Sequence, residues 1–261
     1  MPLPPPVSAL VAECLRAVDA TLPGFVTALW VTGSAASGDW RPDRSDVDVV
    51  AAASRVPALA DLEALAALHA VRREPPYDGI YVAESDLAAP PSAEEPTAHV
   101  TDGEFGTGPC GQCTPAGWLE LRQDGVAVRG PAPADVVRAP EPAVLRSWLL
   151  GNLRGYWSDT AAHAQRVGSE RPATAPVGGS PVAWMVLGAP RLHATLTTGR
   201  IVSKTAAGAY AAEWFPDCAE LAGRCVRWRA GKPEEFTMAD GLRAAALIRT
   251  VVSAAEAAVQ D

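Results

Sequence analysis

The sequence predicts an α+β protein: a small mixed-sheet domain followed by an α-helical bundle. Three observations carry this. Apolar runs of strand length at 25–31, 46–53 and 77–83 alternate with segments of helical periodicity in the first half. Pro131, Pro133, Pro140 and Pro142 then punctuate the chain. Beyond them the pattern is helical to the end. The expected division is 1–138 for the sheet domain and 139–261 for the helical one.

The elements follow in order. Apolar residues at 10, 11, 15 and 18, after a proline-rich arm, predict a helix over 7–21. Strands over 25–31 and 46–53 come next. A helix from Ala58 to Arg73 has Leu59, Leu62, Leu65 and Leu68 on its apolar face and is stopped by Pro75-Pro76. Tyr77 to Ala83 is the third strand, with Asp78, Ile80 and Val82 on one side. Residues 86–117 are rich in Pro, Gly, Ser and Thr and read as a long loop. A short helix from Trp118, an Asp124-Gly125 turn and a strand lead to the prolines. The second half predicts helices over 143–163, 182–197 and 203–215, with a loop at 167–181. Asp217-Cys-Ala-Glu220 has the form of a capping box opening a fourth helix. Thr237-Met-Ala-Asp240 opens a last one, reaching about Val259, with Leu242, Ala245, Ala246, Ile248 and Val252 as its core stripe.

Composition narrows the function. The chain has 261 residues, 48% hydrophobic and 20% charged, with a formal net charge of −8. Without a basic tract, a nucleic acid is not the expected partner. No run of eighteen apolar residues offers a membrane span. The start, Met-Pro-Leu-Pro-Pro-Pro, lacks the basic and apolar regions of a signal peptide, so a cytoplasmic protein is expected, as a monomer. Five cysteines suit a reducing compartment better than a disulfide framework. Cys110-Gly-Gln-Cys113 is a CxxC, but Cys218 and Cys225 lack the spacing of a second zinc knuckle. Separate thiols are expected, exposed at 110 and 113 and packed at 218 and 225.

The chemistry concentrates in one stretch. Phe25 to Val31 leads into Thr32-Gly33-Ser34-Ala-Ala-Ser-Gly38, and after a polar spacer Ser45-Asp46-Val47-Asp48 opens the second strand. Asp46 and Asp48, two apart, leave the same face of a strand. Two like charges held side by side repel, and a bound divalent cation is the usual remedy. Asp78 heads the third strand, where it could lie beside the pair; Glu84 lies on the same nominal face.

This Gly-Ser…Asp-x-Asp arrangement resembles the signature of the nucleotidyltransferase superfamily. Over most of its length the chain is similar to aminoglycoside nucleotidyltransferases of the streptomycin/spectinomycin adenylyltransferase type. Gly125-Val-Ala-Val-Arg-Gly130-Pro131 is similar to that family's strand before its linker. Arg191 to Lys204 is similar to its helix–turn carrying an arginine and a lysine, and Ala211 to Pro216 to the helix that follows. The resemblance implies that Gly33, Ser34 and Ser45 meet a nucleotide, ATP, and that Asp46, Asp48 and Asp78 hold Mg²⁺. Asp78 would also take the acceptor's proton, and Arg191 and Lys204 would hold the triphosphate. A lysine at a helix N-terminus is disfavoured by the helix dipole, and an anion there would account for it. The acceptor would be a small cationic molecule, an aminoglycoside, met by Glu84, Asp102, Glu104 and Phe105. Two features depart from the family: Gly179-Ser180-Pro181 has no acid where the streptomycin enzymes carry one, and Gly103-Glu104-Phe105 stands for their Gly-Glu-Trp. An acceptor that is a protein or a tRNA, or a nucleotide-binding regulator, are the alternatives.

Overall fold

The computed structural model describes residues 2–88 and 92–258, which fall into two compact units, Met1–Glu141 and Pro142–Asp261. In the first, α1 (Pro5–Thr21) begins with a proline in its first turn and buries Val7, Leu10, Val11, Cys14 and Val18. That i, i+3, i+4 spacing marks one helix face. The sheet follows: β1 (Val26–Val31), the short α2 (Gly33–Ala36), β2 (Val47–Ala53), α3 (Leu59–His69) and β3 (Tyr77–Ala83). A 3₁₀ turn at Glu84–Ala88 leads on to β4 (Ala98–Thr101) and β5 (Glu104–Gly106). Then come α4 (Pro115–Asp124), β6 (Val126–Arg129) and the one-turn α5 (Pro133–Val136). Thr114 caps α4 by accepting the Gly117 N–H at 3.0 Å.

The six strands lie in the order β5-β4-β3-β2-β1-β6. Only β2 and β3 are parallel, joined through α3; every other pair is antiparallel. The sheet is therefore mixed, as expected. One face, with Leu29, Val31, Val49, Ala51, Tyr77 and Tyr81, packs against α1 and α3. The other, with Ala28, Trp30, Val50, Ala52, Ile80 and Val82, is covered by Trp118 and Leu121 of α4. Asp48 and Asp78 share the parity of this second face.

Two differences from the sequence reading matter here. Helix α3 ends at His69, not Arg73, because Arg73 folds back and donates to the carbonyls of Leu68 and Val71 at 3.1 and 3.0 Å. Residues 86–117 are not a plain loop, since β4 and β5 form a hairpin on the edge of β3. Its two-residue turn, Asp102-Gly103, has φ of 53° and 78°. Positive φ at both central residues is the backbone of a type I′ turn, which Asp-Gly favours.

The second unit is helical. Residues 142–169 are one helical run, α6 (Pro142–Asn152) and α7 (Ser158–Ser169) flanking a π-turn at Leu153–Trp157. After the two-residue β7 (Pro176–Val177) come α8 (Gly179–Thr198), α9 (Lys204–Trp214) and α10 (Ala219–Arg229). The equally short β8 (Phe236–Thr237), paired with β7, precedes α11 (Met238–Ala257). The buried core joins Leu153, Trp157, Val186, Leu187, Leu221, Leu247, Ile248 and Val251. The Thr237–Asp240 box forms, with the Thr237 N–H donating to Asp240 at 3.0 Å. The Asp217–Glu220 box does not: Pro216–Cys218 is a 3₁₀ turn, and Cys218 stands uncapped before α10. Of the expected stripe of α11, Ala245 and Ile248 are buried and Leu242 and Val252 half-buried, while Ala246 is exposed; Ala244, Leu247, Val251 and Ala255 widen the buried face. Val259 lies outside the described residues. Among the described residues, no helix is long and apolar enough to cross a membrane.

Candidate active site

The C-terminal end of β1 meets the N-terminal ends of β2 and β3. The chain leaves β1 at Thr32, whose N–H donates to the Asp48 carbonyl at 2.9 Å. Gly33 follows with φ +62°, in the left-handed region, and a Cβ there would lie 2.1 Å from Asp48 Oδ2. Both its backbone conformation and its neighbour therefore require glycine. Turn α2 is closed by the Ser37 N–H to the Gly33 carbonyl at 3.1 Å and the Asp39 N–H to the Ser34 carbonyl at 2.9 Å. The hydroxyls of Thr32 and Ser34 are buried there without a hydrogen-bond partner. A buried unpaired hydroxyl costs about 1–3 kcal/mol, so two side by side mark a place shaped for a polar ligand. Ser45 is engaged elsewhere: its Oγ accepts the Arg41 N–H at 3.1 Å and closes the 41–45 turn, while Trp40 Nε1 donates to the Asp46 carbonyl at 3.1 Å.

The parallel register sets Asp48 directly opposite Asp78. Neighbouring strands are about 4.8 Å apart, so the two carboxylates leave one face as a pair. Asp46 is exposed, Asp48 half-buried and Asp78 buried. Burial first, and then the charge of Asp46, pushes the Asp78 carboxyl up to about 6. The backbone N–H groups of Gly103 and Asp102, at the tip of the hairpin, hydrogen-bond it and pull the other way, while the Asp102 charge raises it. Asp78 Oδ1 nonetheless stays buried and without a partner. A buried carboxyl poised near neutrality, with one bare oxygen, can accept a proton from a neighbouring hydroxyl.

Residues 11–72, which hold Gly33, Ser34, Asp46 and Asp48, match the family model of the nucleotidyltransferase domain. Over this stretch the chain is similar to a nucleotidyltransferase domain. Its fold is similar to that of the spectinomycin adenyltransferase AAD(9) from Enterococcus faecialis, solved with ATP and spectinomycin, with a TM-score of 0.67. That match covers 93% of this chain and 99% of the other at 12% sequence identity. No curated protein sequence matches the chain.

Nucleotidyltransferase chemistry calls for a divalent cation, and the donor set can be tested for one. Among the described residues, no three His, Cys, Asp or Glu side chains form a ready metal cage. Asp46, Asp48 and Asp78 therefore do not form such a cage by themselves. A pair still fits: magnesium is held by one or two carboxylates plus substrate phosphates and water, not by an all-protein cage. The two orphaned hydroxyls beside the pair fit phosphate oxygens.

Of the other candidates of the first unit, Asp102 and Glu104 lie toward the Asp78 face and the rest do not. Glu84 is exposed just past the far end of β3, six residues from Asp78 and so about 20 Å along the strand. It cannot share the site with Asp78, since strand length separates them. Glu104 is exposed on β5, and Phe105 stacks on His69 at 6.1 Å within the α1/α3 core. That is the face opposite Asp48 and Asp78, which removes Phe105 as an acceptor contact. Asp102, at the hairpin tip, is the acceptor candidate that the fold brings to Asp78. Its Asp-Gly dipeptide was the available signal for that turn. Cys110 and Cys113 are buried under α4, not exposed, because the hairpin and α4 close over them.

In the helical unit, Arg191 lies on α8 and its Nε donates to the Val202 carbonyl at 2.8 Å. Lys204 is the first residue of α9, after Ser203, whose hydroxyl accepts the Ala206 N–H at 3.1 Å. The Lys204 ammonium sits 5.1 Å from the centre of the Trp184 ring. Thr32 was not legible as a candidate, because a lone hydroxyl carries no spacing signature.

Proposed function

We propose that the protein transfers AMP from ATP to a hydroxyl of a small cationic acceptor, an aminoglycoside antibiotic. The observation that carries the transfer is the pairing of Asp48 with Asp78 on one sheet face, with Asp46 near enough for its charge to act on Asp78, beside the orphaned hydroxyls of Thr32 and Ser34. In this reading Gly33 lets the backbone pass close to Asp48, and Ser34 donates to a phosphate oxygen. Asp46 and Asp48 hold Mg²⁺, which when bound neutralises phosphate charge as the bond to the α-phosphate breaks. Asp78 receives the proton of the attacking hydroxyl through Oδ1. Arg191 and Lys204 hold the β- and γ-phosphates, the role that the family resemblance implies. The structural neighbour, crystallised with ATP and spectinomycin, supports the choice of nucleotide and acceptor class. The side chains themselves favour a second reading of the acceptor half, in which the acceptor is not an antibiotic. Residues 179–181 carry no acid, and Phe105 faces the core.

The test is pyrophosphate release from each NTP with magnesium, with and without a panel of streptomycin, spectinomycin and a 2-deoxystreptamine drug. The expected result is ATP-dependent release stimulated by one drug and abolished in Asp48→Asn. Release from ATP that no drug stimulates would move the acceptor outside the aminoglycosides. Full activity in Asp48→Asn would overturn the site.

A further inference from the structure

The Cys110-Gly-Gln-Cys113 turn takes no part in the proposed transfer, yet it sets two thiols side by side. The Cys113 N–H donates to the Cys110 carbonyl at 3.1 Å, which closes a four-residue turn. Such a turn holds its first and last Cα atoms within about 7 Å, and a disulfide spans about 4.4–6.8 Å. The two thiols are close enough to interact directly, and they are only 1% and 2% exposed. Their cover is thin, since Pro109 and Gly111, on either side of Cys110, are exposed. The surroundings give the two sulfurs unequal roles. Cys113 Sγ donates to the Thr97 hydroxyl at 3.7 Å, which keeps its proton in place. The Cys110 thiol is pulled down by Cys113 first, against burial, and then by the Gln112 N–H and the His99 charge. Cys113 is pushed up by the same contact with Cys110 and by burial. One sulfur is thus set to be the thiolate nucleophile beside a second that stays a thiol. The other cysteines lack this arrangement. Cys14 is packed in the core on the opposite face of the sheet, and burial pushes its thiol up. Cys218 and Cys225 lie in the helical core seven residues apart, about 10 Å along a helix and too far to be bridged. Burial raises both of their thiols.

We propose that Cys110 and Cys113 form a redox modification site that hydrogen peroxide converts to a disulfide. The Cys110 thiolate attacks a peroxide oxygen and the O–O bond breaks. Hydroxide leaves with the electron pair and takes up the proton that Cys110 had released, giving water and a Cys110 sulfenic acid. The Cys113 sulfur then attacks the Cys110 sulfur, giving up its proton as the S–O bond breaks and a second water leaves. The pair has lost two electrons and two protons, the peroxide has become two waters, and a disulfide joins the sulfurs. A small dithiol reverses the step by thiol–disulfide exchange. Peroxide suits the site because it is little larger than water, and a thin cover that stops a bulky oxidant lets it pass.

The experiment treats the fully reduced full chain with hydrogen peroxide, blocks the remaining thiols and maps an unreduced tryptic digest by mass spectrometry. Free thiols should fall from five to three. The fragment carrying Cys110 and Cys113 should become lighter by two hydrogens, and dithiothreitol should restore it. Cys113→Ala should stop the reaction at the sulfenic acid, so that dimedone labelling of Cys110 rises about tenfold or more over wild type. Cys110→Ala should leave Cys113 reacting about tenfold more slowly than the pair. Should either variant fail to fold, the wild-type map decides alone. Cys110 and Cys113 staying reduced in the folded chain, under peroxide that oxidises the denatured one, would overturn the proposal. So would sulfinic acids without a disulfide, or loss of Cys14, Cys218 or Cys225 at the rate of the pair. Equal dimedone labelling of Cys110 with and without Cys113 would overturn it too. None of these readouts depends on nucleotide transfer.

Discussion

Replacing Gly33 with alanine isolates the contact on which the proposed nucleotide site is built. The added Cβ would start 2.1 Å from Asp48 Oδ2 and 2.8 Å from its carboxyl carbon. Ordinary contact begins near 3.4 Å, so the carboxylate must retreat by about 1.3 Å or the turn must open. Alanine at φ +62° also carries a left-handed penalty of roughly 1–2 kcal/mol. Together these predict a loss of about 2–3 kcal/mol of stability, and a Tm lower by roughly 4–10 °C. A misplacement of about 1 Å costs on the order of 100-fold in rate, so transfer should fall at least that far. Calorimetry with MgATP and pyrophosphate release, on protein shown to be folded by circular dichroism, provide the assay. Asp48→Asn provides the floor, with stability unchanged or raised because a repulsion is removed. A Gly33→Ala protein with wild-type MgATP affinity and turnover would refute the reasoning. The close approach of the turn to Asp48 would then have no bearing on the chemistry.

Two pH experiments follow from buried groups. The Asp78 carboxyl is raised to about 6, so its protonated form is favoured by the fold. That contribution is full below the ordinary range near 3.8 and is lost as pH rises through about 6. In chelator, Asp78→Asn should therefore be more stable than wild type at pH 8, by roughly 2–3 kcal/mol, and equal to it near pH 4; equal Tm at both would refute this. Burial pushes the His69 imidazole the other way, down to about 4, while its Nε2 pairs with the Tyr81 hydroxyl at 2.8 Å. The unfolded chain takes up that proton near pH 6.5, so stability is lost as pH falls from there toward about 4. His69→Phe should flatten that loss, and thermal melts across pH 4–7 check it. The two contributions oppose each other between pH 4 and 6, so each partly masks the other in the wild-type profile.

The sequence made the strands with strong apolar runs visible, and with them the place of Asp46, Asp48 and Asp78. That Asp78 could lie beside the pair was legible, but the rung that sets it opposite Asp48 was not, because the β2–β3 register depends on a crossover that no local pattern encodes. The β4–β5 hairpin escaped for a related reason. Its strands are short and partly polar, and they are held by the edge of β3 and by the Asp102-Gly103 turn rather than by their own periodicity. On α11 only Ala246 was placed on the wrong side, because alanines at 244, 245 and 246 give no contrast between inside and outside. Packing against α7 and α8 decides it. Cys110 and Cys113 looked exposed from their Gly/Pro-rich surroundings, and only tertiary cover by Trp118 and Leu121 buries them.

The parallel pairing of Asp48 with Asp78 has a consequence for how such a protein can change. The two carboxylates lie thirty positions apart along the chain, yet the sheet ladder alone fixes the gap between them. Insertions or deletions in the connection through α3 can be absorbed at the surface without altering that gap, as long as β3 enters the ladder at the same rung. A slip of one rung would turn Asp78 toward the α1/α3 core and silence it in a single step. The hairpin tip above Asp78 hangs from the outer edge of the ladder, where its side chains can be exchanged without moving either carboxylate. On the proposed function, acceptor preference is thus free to drift over evolutionary time around a fixed pair of carboxylates.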